Sequence, residues 1–327
     1  MRVKIDREQC FKLARAIKGF KFKVDEFKDP LLFPPHHASP EEAANFFFFM
    51  VAIDHRTRLK FEGVIEGKKL HGSELLYALA RRRMEYFTAE KMKSISKEEV
   101  ANWLSLEESS IPDPEVRAML LRDSAIKLLK HYRGSALELI KTANGYLMRE
   151  DGEGLLQLLA QFKAYSDPLS KKSFLLVKFL ERRKLFKVID IENLHIPVDN
   201  ILARIALRTG IIEVMDEKLK TKLKKNLPAN QVDDREIRSI AQKAYDMVSK
   251  ESRCKVTLLD DVFWTTGRAC CSRENPVCFN CRLESCRASH LLGIECKHSC
   301  IFTAGCRGAE NLSYRAFFEP NFKTWYY

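Results

Sequence analysis

Eight of the ten cysteines crowd into residues 270–306, with Cys254 just before them and Cys10 alone near the start. Within CCSRENPVCFNCRLESC, Cys271, Cys278, Cys281 and Cys286 are separated by six, two and four residues. Four thiolates at such spacings can wrap one tetrahedral zinc or the corners of a [4Fe-4S] cube, because each spacer reaches only a neighbouring corner. Crowding favours a metal or iron–sulfur site over a disulfide framework, which scatters its cysteines through a fold, although disulfides stay open in a heat-adapted cytosol. Cys270 offers a second register. Cys296, Cys300 and Cys306, with His290 and His298 nearby, form a further group without a recognisable ligand spacing. Aromatic rings supply another chemistry. Asn45 and Phe46, and Trp264 close to Asp260 and Asp261, could stack a purine base and offer its edge an amide or carboxylate. The rings of Phe46, Phe47, Phe48 and Phe49 cannot all face one side of a helix, and core packing is the ordinary use of each.

Fifty-six Lys+Arg against 44 Asp+Glu give a net charge of +12, a field that draws in polyanions, DNA first among them. Basic runs at Arg81-Arg82-Arg83, Arg182-Arg183-Lys184 and 218–225 are candidate phosphate contacts or solvated helix faces. No segment approaches the ~18–20 apolar residues that span a bilayer, and the start is basic and helical, so a soluble cytoplasmic protein without a membrane partner is expected. The sequence points to no particular protein partner.

The cysteine spacing resembles the iron–sulfur loop of endonuclease III and related base-excision glycosylases, including the basic residue and proline inside the first gap, here Arg273 and Pro276. The last spacer is four residues where that family has five. The resemblance implies a [4Fe-4S] cluster on Cys271, Cys278, Cys281 and Cys286, holding a loop that presents Arg273 and Arg282 to DNA. Helix-hairpin-helix glycosylases also place a Lys, usually followed by Thr, at one helix start and an Asp before the next long helix. SDPLSKKSFLLVKFL followed by HIPVDNILARIALRTGII is similar, with Lys172-Ser173 and Asp199 at those positions and Lys171 as the competing lysine. In such enzymes an amine of lowered pKa forms a Schiff base at the anomeric carbon, while the carboxylate stabilises oxocarbenium charge or activates the nucleophile. The longer Lys-to-Asp spacing resembles the archaeal 8-oxoguanine glycosylases. Where the family has its glycine hairpin this chain has Asp167-Pro168-Leu169-Ser170, so the phosphate-gripping amides are not signalled. Asp199 would also serve as a plain helix N-cap.

A second resemblance covers more of the chain, from about residue 30 to 265. Asn45-Phe46, FEGVIEGKKLHG, FKAYSD, the KKSFLLVKF segment, Val198-Asp199, DREIRSIAQKAYDMV and LLDDVFW are similar to the queuosine-salvage N-glycosidases. That family has a DNA-glycosylase-like helical fold and hydrolyses a modified-purine (7-deazaguanine) nucleoside 5′-monophosphate. It implies an essential Asp199 with Phe46 and Trp264 flanking the base, and it lacks the cysteine loop. Both resemblances imply cleavage of an N-glycosidic bond. The leading expectation is a base-excision DNA glycosylase, with possible AP-lyase activity through Lys172, on a damaged or modified purine. The alternatives are the nucleotide hydrolase and a non-catalytic nucleic-acid-binding iron–sulfur protein.

The elements that must position these residues are mostly helical. Apolar residues recur at i, i+3 and i+4 over 8–17, 73–85, 96–104, 113–132, 135–147, 153–162, 171–183, 198–212 and 234–250. Ser39, Pro40, Glu41 and Glu42 suit a helix start ahead of NFFFFM, and LKFEGVIEGKKLHG alternates like a short hairpin. The expected fold is mainly α, a two-part helical DNA-glycosylase-like body with a small β hairpin and a C-terminal cysteine-rich iron–sulfur loop. Its expected segments are 1–112, 113–266, 267–290 and 291–327.

Overall fold

The computed structural model describes residues 2–23, 27–57, 60–279, 281, 286–295 and 299–327, without the side chain of Arg287. The expectations placed on Arg282, Cys296 and His298 lie outside the described residues. With 54% helix and 6% strand the protein is mainly α, with sixteen α-helices among the described residues. It divides into two compact units, one of 1–25 with 195–323 and one of 26–194 with 324–327. These borders cut across the four segments expected from the sequence, because the first 25 residues fold with the late part of the chain.

In the unit of 26–194 with 324–327, the helix Pro40–Ile53 opens with a capping box. The Ser39 hydroxyl accepts from Glu42 N at 3.2 Å, and the Glu42 carboxylate accepts from Ser39 N at 2.8 Å. Every residue from 43 to 53 is buried, so this apolar helix is enclosed on all sides. Phe47 stacks on Phe179 with ring centres 5.2 Å apart, and Phe48 stacks on Tyr165 at 5.4 Å. A helix that ends inside a core has no water for its last carbonyls. Buried cations take that role: Lys172 Nζ donates to Ala52 O at 2.6 Å, and Arg117 donates to Ile53 O at 2.9 Å and His55 O at 2.6 Å. Their charge also suits the negative end of the helix. The expected hairpin is present, with Glu62–Ile65 antiparallel to Lys68–His71 and Glu62 opposite His71. Glu66 and Gly67 both have positive φ (49° and 75°), the two-residue turn geometry that follows the strand twist.

In the unit of 1–25 with 195–323, the helix Arg7–Lys18 packs along the helix Gln231–Ser252. A second two-stranded sheet, not foreseen from the sequence, pairs Val3–Ile5 antiparallel with Ile212–Val214. Periodicity alone carries the helix after Asp199 to residue 212, but it spans Asn200–Thr209. Gly210 ends it with φ 79°, where an added Cβ would sit 2.6 Å from Arg307 Cδ, and the chain then extends into the strand. The same helix packs against Val256–Ala269, and Gly267 permits the approach, since a Cβ there would lie 2.3 Å from Ile201 Cγ2. The late Glu319 is buried between Arg204 at 2.8 Å and Arg273 at 2.7 Å. No helix among the described residues is long and apolar enough to cross a membrane.

Candidate active site

Ile196 and Val198, both buried, fix the segment that enters the helix Asn200–Thr209, and Asp199 is its N-cap. The Asp199 carboxylate accepts from Leu202 N at 2.9 Å, and the residue is 7% exposed, so its charge sits largely out of water beside the helix N-terminus. Two side chains of Gln231–Ser252 brace this start. Arg238 donates from Nε to Val198 O at 2.9 Å and lies 3.6 Å from the Asp234 carboxylate, while the Tyr245 hydroxyl donates to Leu202 O at 2.7 Å. Burial pushes the Tyr245 hydroxyl well above its usual range, and the charges of Asp199, Cys271 and Asp260 push the same way. The phenol therefore remains a neutral donor. From Val256–Ala269 come the buried Asp260 and the half-buried Asp261 and Trp264, with the Arg268 guanidinium 4.6 Å from the Trp264 ring centre. A largely desolvated carboxylate with a phenol, a guanidinium and further carboxylates around its helix can accept a proton from water or stabilise positive charge on a sugar.

Asp199, Asp261 and Trp264 thus belong to one unit, and Asn45, Phe46 and Lys172 to the other. Asn45 bridges Glu41, at 3.0 Å from its Nδ2, and Ala136 N, at 2.9 Å from its Oδ1, so it ties two helices together. Phe46 is fully buried against Phe47 and Phe87. Lys172 is fully buried at the Ala52 carbonyl, and burial, then the charge of Lys171, pushes its amine well below the usual lysine range. The competing Lys171 donates its backbone N–H to the Asp167 carboxylate at 3.0 Å. At the position of a glycine hairpin, Leu169, Ser170 and Lys171 all direct their amides to Asp167. Those amides are engaged within the turn rather than offered to a phosphate. Arg183 is similarly engaged, donating to the carbonyls of Phe27, Pro34 and Pro35.

Arg238 and Tyr245 were not among the candidates read from the sequence. Their signal was a polar residue on an apolar face: Arg238 and Tyr245 are seven apart and share a buried helix side with Ile237, Ala241 and Val248. The nine described cysteines are all free thiols. Cys271 and Cys278 of the expected ligand set line a small apolar cavity with Cys270, Cys300 and Cys306, while Cys281 and Cys286 do not line it.

A family model described as queuosine salvage protein matches residues 41–276. The chain belongs to this family. The match spans more than two thirds of the sequence and includes Asp199, Arg238, Tyr245, Asp260 and Trp264. Cys270 and Cys271 fall inside the queuosine salvage match, whereas the cysteines from Cys278 onward follow it. Comparison with curated proteins gives no match.

Proposed function

We propose that this protein is an N-glycosidase that hydrolyses the bond between base and ribose in a modified-purine (7-deazaguanine) nucleoside 5′-monophosphate. The observation that carries the reading is the queuosine salvage match over 41–276. The desolvated Asp199 carboxylate at a helix N-terminus supports it. In this reading Asp199 accepts a proton from the attacking water or stabilises the positive charge that develops on the sugar as the base departs. Arg238 and Tyr245 are positioning residues, because they hold the carbonyls of Val198 and Leu202 on either side of Asp199. Trp264, backed by Arg268, is the proposed stacking surface for the base. The family match favours this substrate over lesion-bearing DNA, for which the support is net charge and cysteine spacing.

The test incubates the wild type and Asp199→Asn with 7-deazaguanine nucleoside 5′-monophosphates, the matching nucleosides and lesion-bearing oligonucleotides, and scores released base. Release from the monophosphates that depends on Asp199 is expected. Release from oligonucleotides alone, or from none of the three, overturns the proposal.

A further inference from the structure

Five cysteines of the late chain come together in one place. Cys270, Cys271, Cys278, Cys300 and Cys306 line a single cavity. All five are free thiols. The chain has converged on this arrangement from several directions. Cys270 and Cys271 follow the helix Val256–Ala269, Cys278 is in the succeeding loop at φ 41°, and Cys300 and Cys306 flank the one-turn element Thr303–Gly305. Backbone bonds hold the strands of this loop cluster together: Val277 N donates to Cys270 O at 2.9 Å, and Cys300 N donates to Cys278 O at 2.6 Å.

A single buried thiol packs as a small apolar group, but thiolates are also good soft-metal ligands, and five cysteines around one cavity offer a full ligand set. Among the described residues no three His, Cys, Asp or Glu side chains converge closely enough to hold a single ion. A polynuclear cluster takes its ligands at separate corners, so cysteines that line one space can hold it without meeting at a point. A thiolate-ligated cluster also carries net negative charge, and a cation is in place for it. Arg208 Nη1 lies 3.6 Å from Cys271 Sγ.

We propose that this cavity is an iron–sulfur site with four thiolate ligands drawn from Cys270, Cys271, Cys278, Cys300 and Cys306. This ligand set differs from the Cys271, Cys278, Cys281 and Cys286 set read from the sequence, and the site is independent of the glycosidase reading. The experiment purifies the full chain anaerobically and measures iron, acid-labile sulfide and zinc, together with the visible absorption band that dithionite bleaches. Two paired variants separate the ligand sets. Cys270→Ser/Cys300→Ser leaves three thiols in the cavity, whereas Cys281→Ser/Cys286→Ser leaves all five. The expected result is about four iron and four sulfide per chain, lost in the first pair and kept in the second, with circular dichroism showing that both remain helical. Stoichiometric zinc without iron, no metal in the wild type, or loss of iron in the second pair overturns the assignment. If the first pair fails to fold, wild-type metal content and the second pair still decide the matter.

Discussion

Replacing Asp199 by Asn and by Ala separates its two roles, because they draw on different atoms of the carboxylate. As an N-cap, Asp199 satisfies the Leu202 amide at 2.9 Å. Asn caps about as well as Asp, so Asp199→Asn should lose only the charge–dipole contribution, about 0.3–1 kcal/mol. Asp199→Ala loses the cap as well and should cost a further ~1 kcal/mol, within a range of about 0.5–2. For a chain of this size each kcal/mol lowers Tm by roughly 2–4 °C, so calorimetry should place Asn within about 4 °C of the wild type and Ala clearly below it. Activity should not follow that order. A carboxylate acting in general base catalysis contributes roughly 10²–10⁴-fold, and Asn keeps the hydrogen bond while removing the proton acceptor. Both variants should therefore lose base release from the nucleoside monophosphate by at least about 100-fold. Asp199→Asn within tenfold of the wild type, with Ala impaired only in proportion to its lost stability, would show that Asp199 is a cap and nothing more.

Three other perturbations test the surrounding structure. Gly267→Ala places a methyl 2.3 Å from Ile201 Cγ2 and 2.8 Å from Ile205 Cδ1, so it should destabilise by about 1–3 kcal/mol, read as a lower Tm; an unchanged Tm refutes the close packing of these helices. Burial raises the pKa of Glu319, but Arg204 and Arg273 outweigh it and hold the carboxyl below its usual value. Its stabilisation is therefore present above about pH 4.5 and lost as pH falls through the lower folded-state value; Glu319→Gln should lower Tm at pH 7 and flatten this acid limb, and an unchanged pH–Tm profile would count against it. Lys172→Met leaves the Ala52 carbonyl without its donor, at a cost of roughly 1–3 kcal/mol for the stranded group, and borohydride should trap no wild-type adduct with abasic DNA. A trapped adduct that disappears in Lys172→Met would identify Lys172 as a nucleophile.

What the sequence disclosed, it disclosed through local physics. The capping box at Ser39 and Glu42, the hairpin around Gly67 and the helical periods depend on residues within a few positions of one another. Asp199 was legible as a helix N-cap because an acid directly before an apolar helix suits that position. What stayed hidden depends on distant partners. Val3–Ile5 is too short to read as a strand without Ile212–Val214 beside it, and Cys300 and Cys306 fit no ligand spacing because the fold, not the sequence interval, brings them to Cys270. Arg238 was hidden differently: one charged residue on a buried face is informative only once the carbonyl of Val198 is seen in its reach.

Lys172 has a structural role that by itself accounts for its shifted pKa. A buried amine with a lowered pKa has the property that an imine-forming nucleophile requires, yet the same property arises wherever the core closes over a lysine. Here its cause is visible. The helix Pro40–Ile53 is apolar on every side and ends in the interior, so its last carbonyls must find donors other than water. Lys172 and Arg117 supply them, and the pKa of buried His55 is pushed well below its usual value by burial and then by these same two cations. His55 therefore stays neutral beside Arg117, its Nε2 lying 2.9 Å from Arg117 Nη1. Burial, and then the charge of Lys171, depresses the Lys172 pKa, and that burial follows from ending an apolar helix inside a core. Asp199 differs from Lys172 in this respect: Asn, Ser or Thr would cap its helix about as well, so the proposed glycosidase reading is what gives the carboxylate a role beyond the cap, and the Asn variant is the test of it.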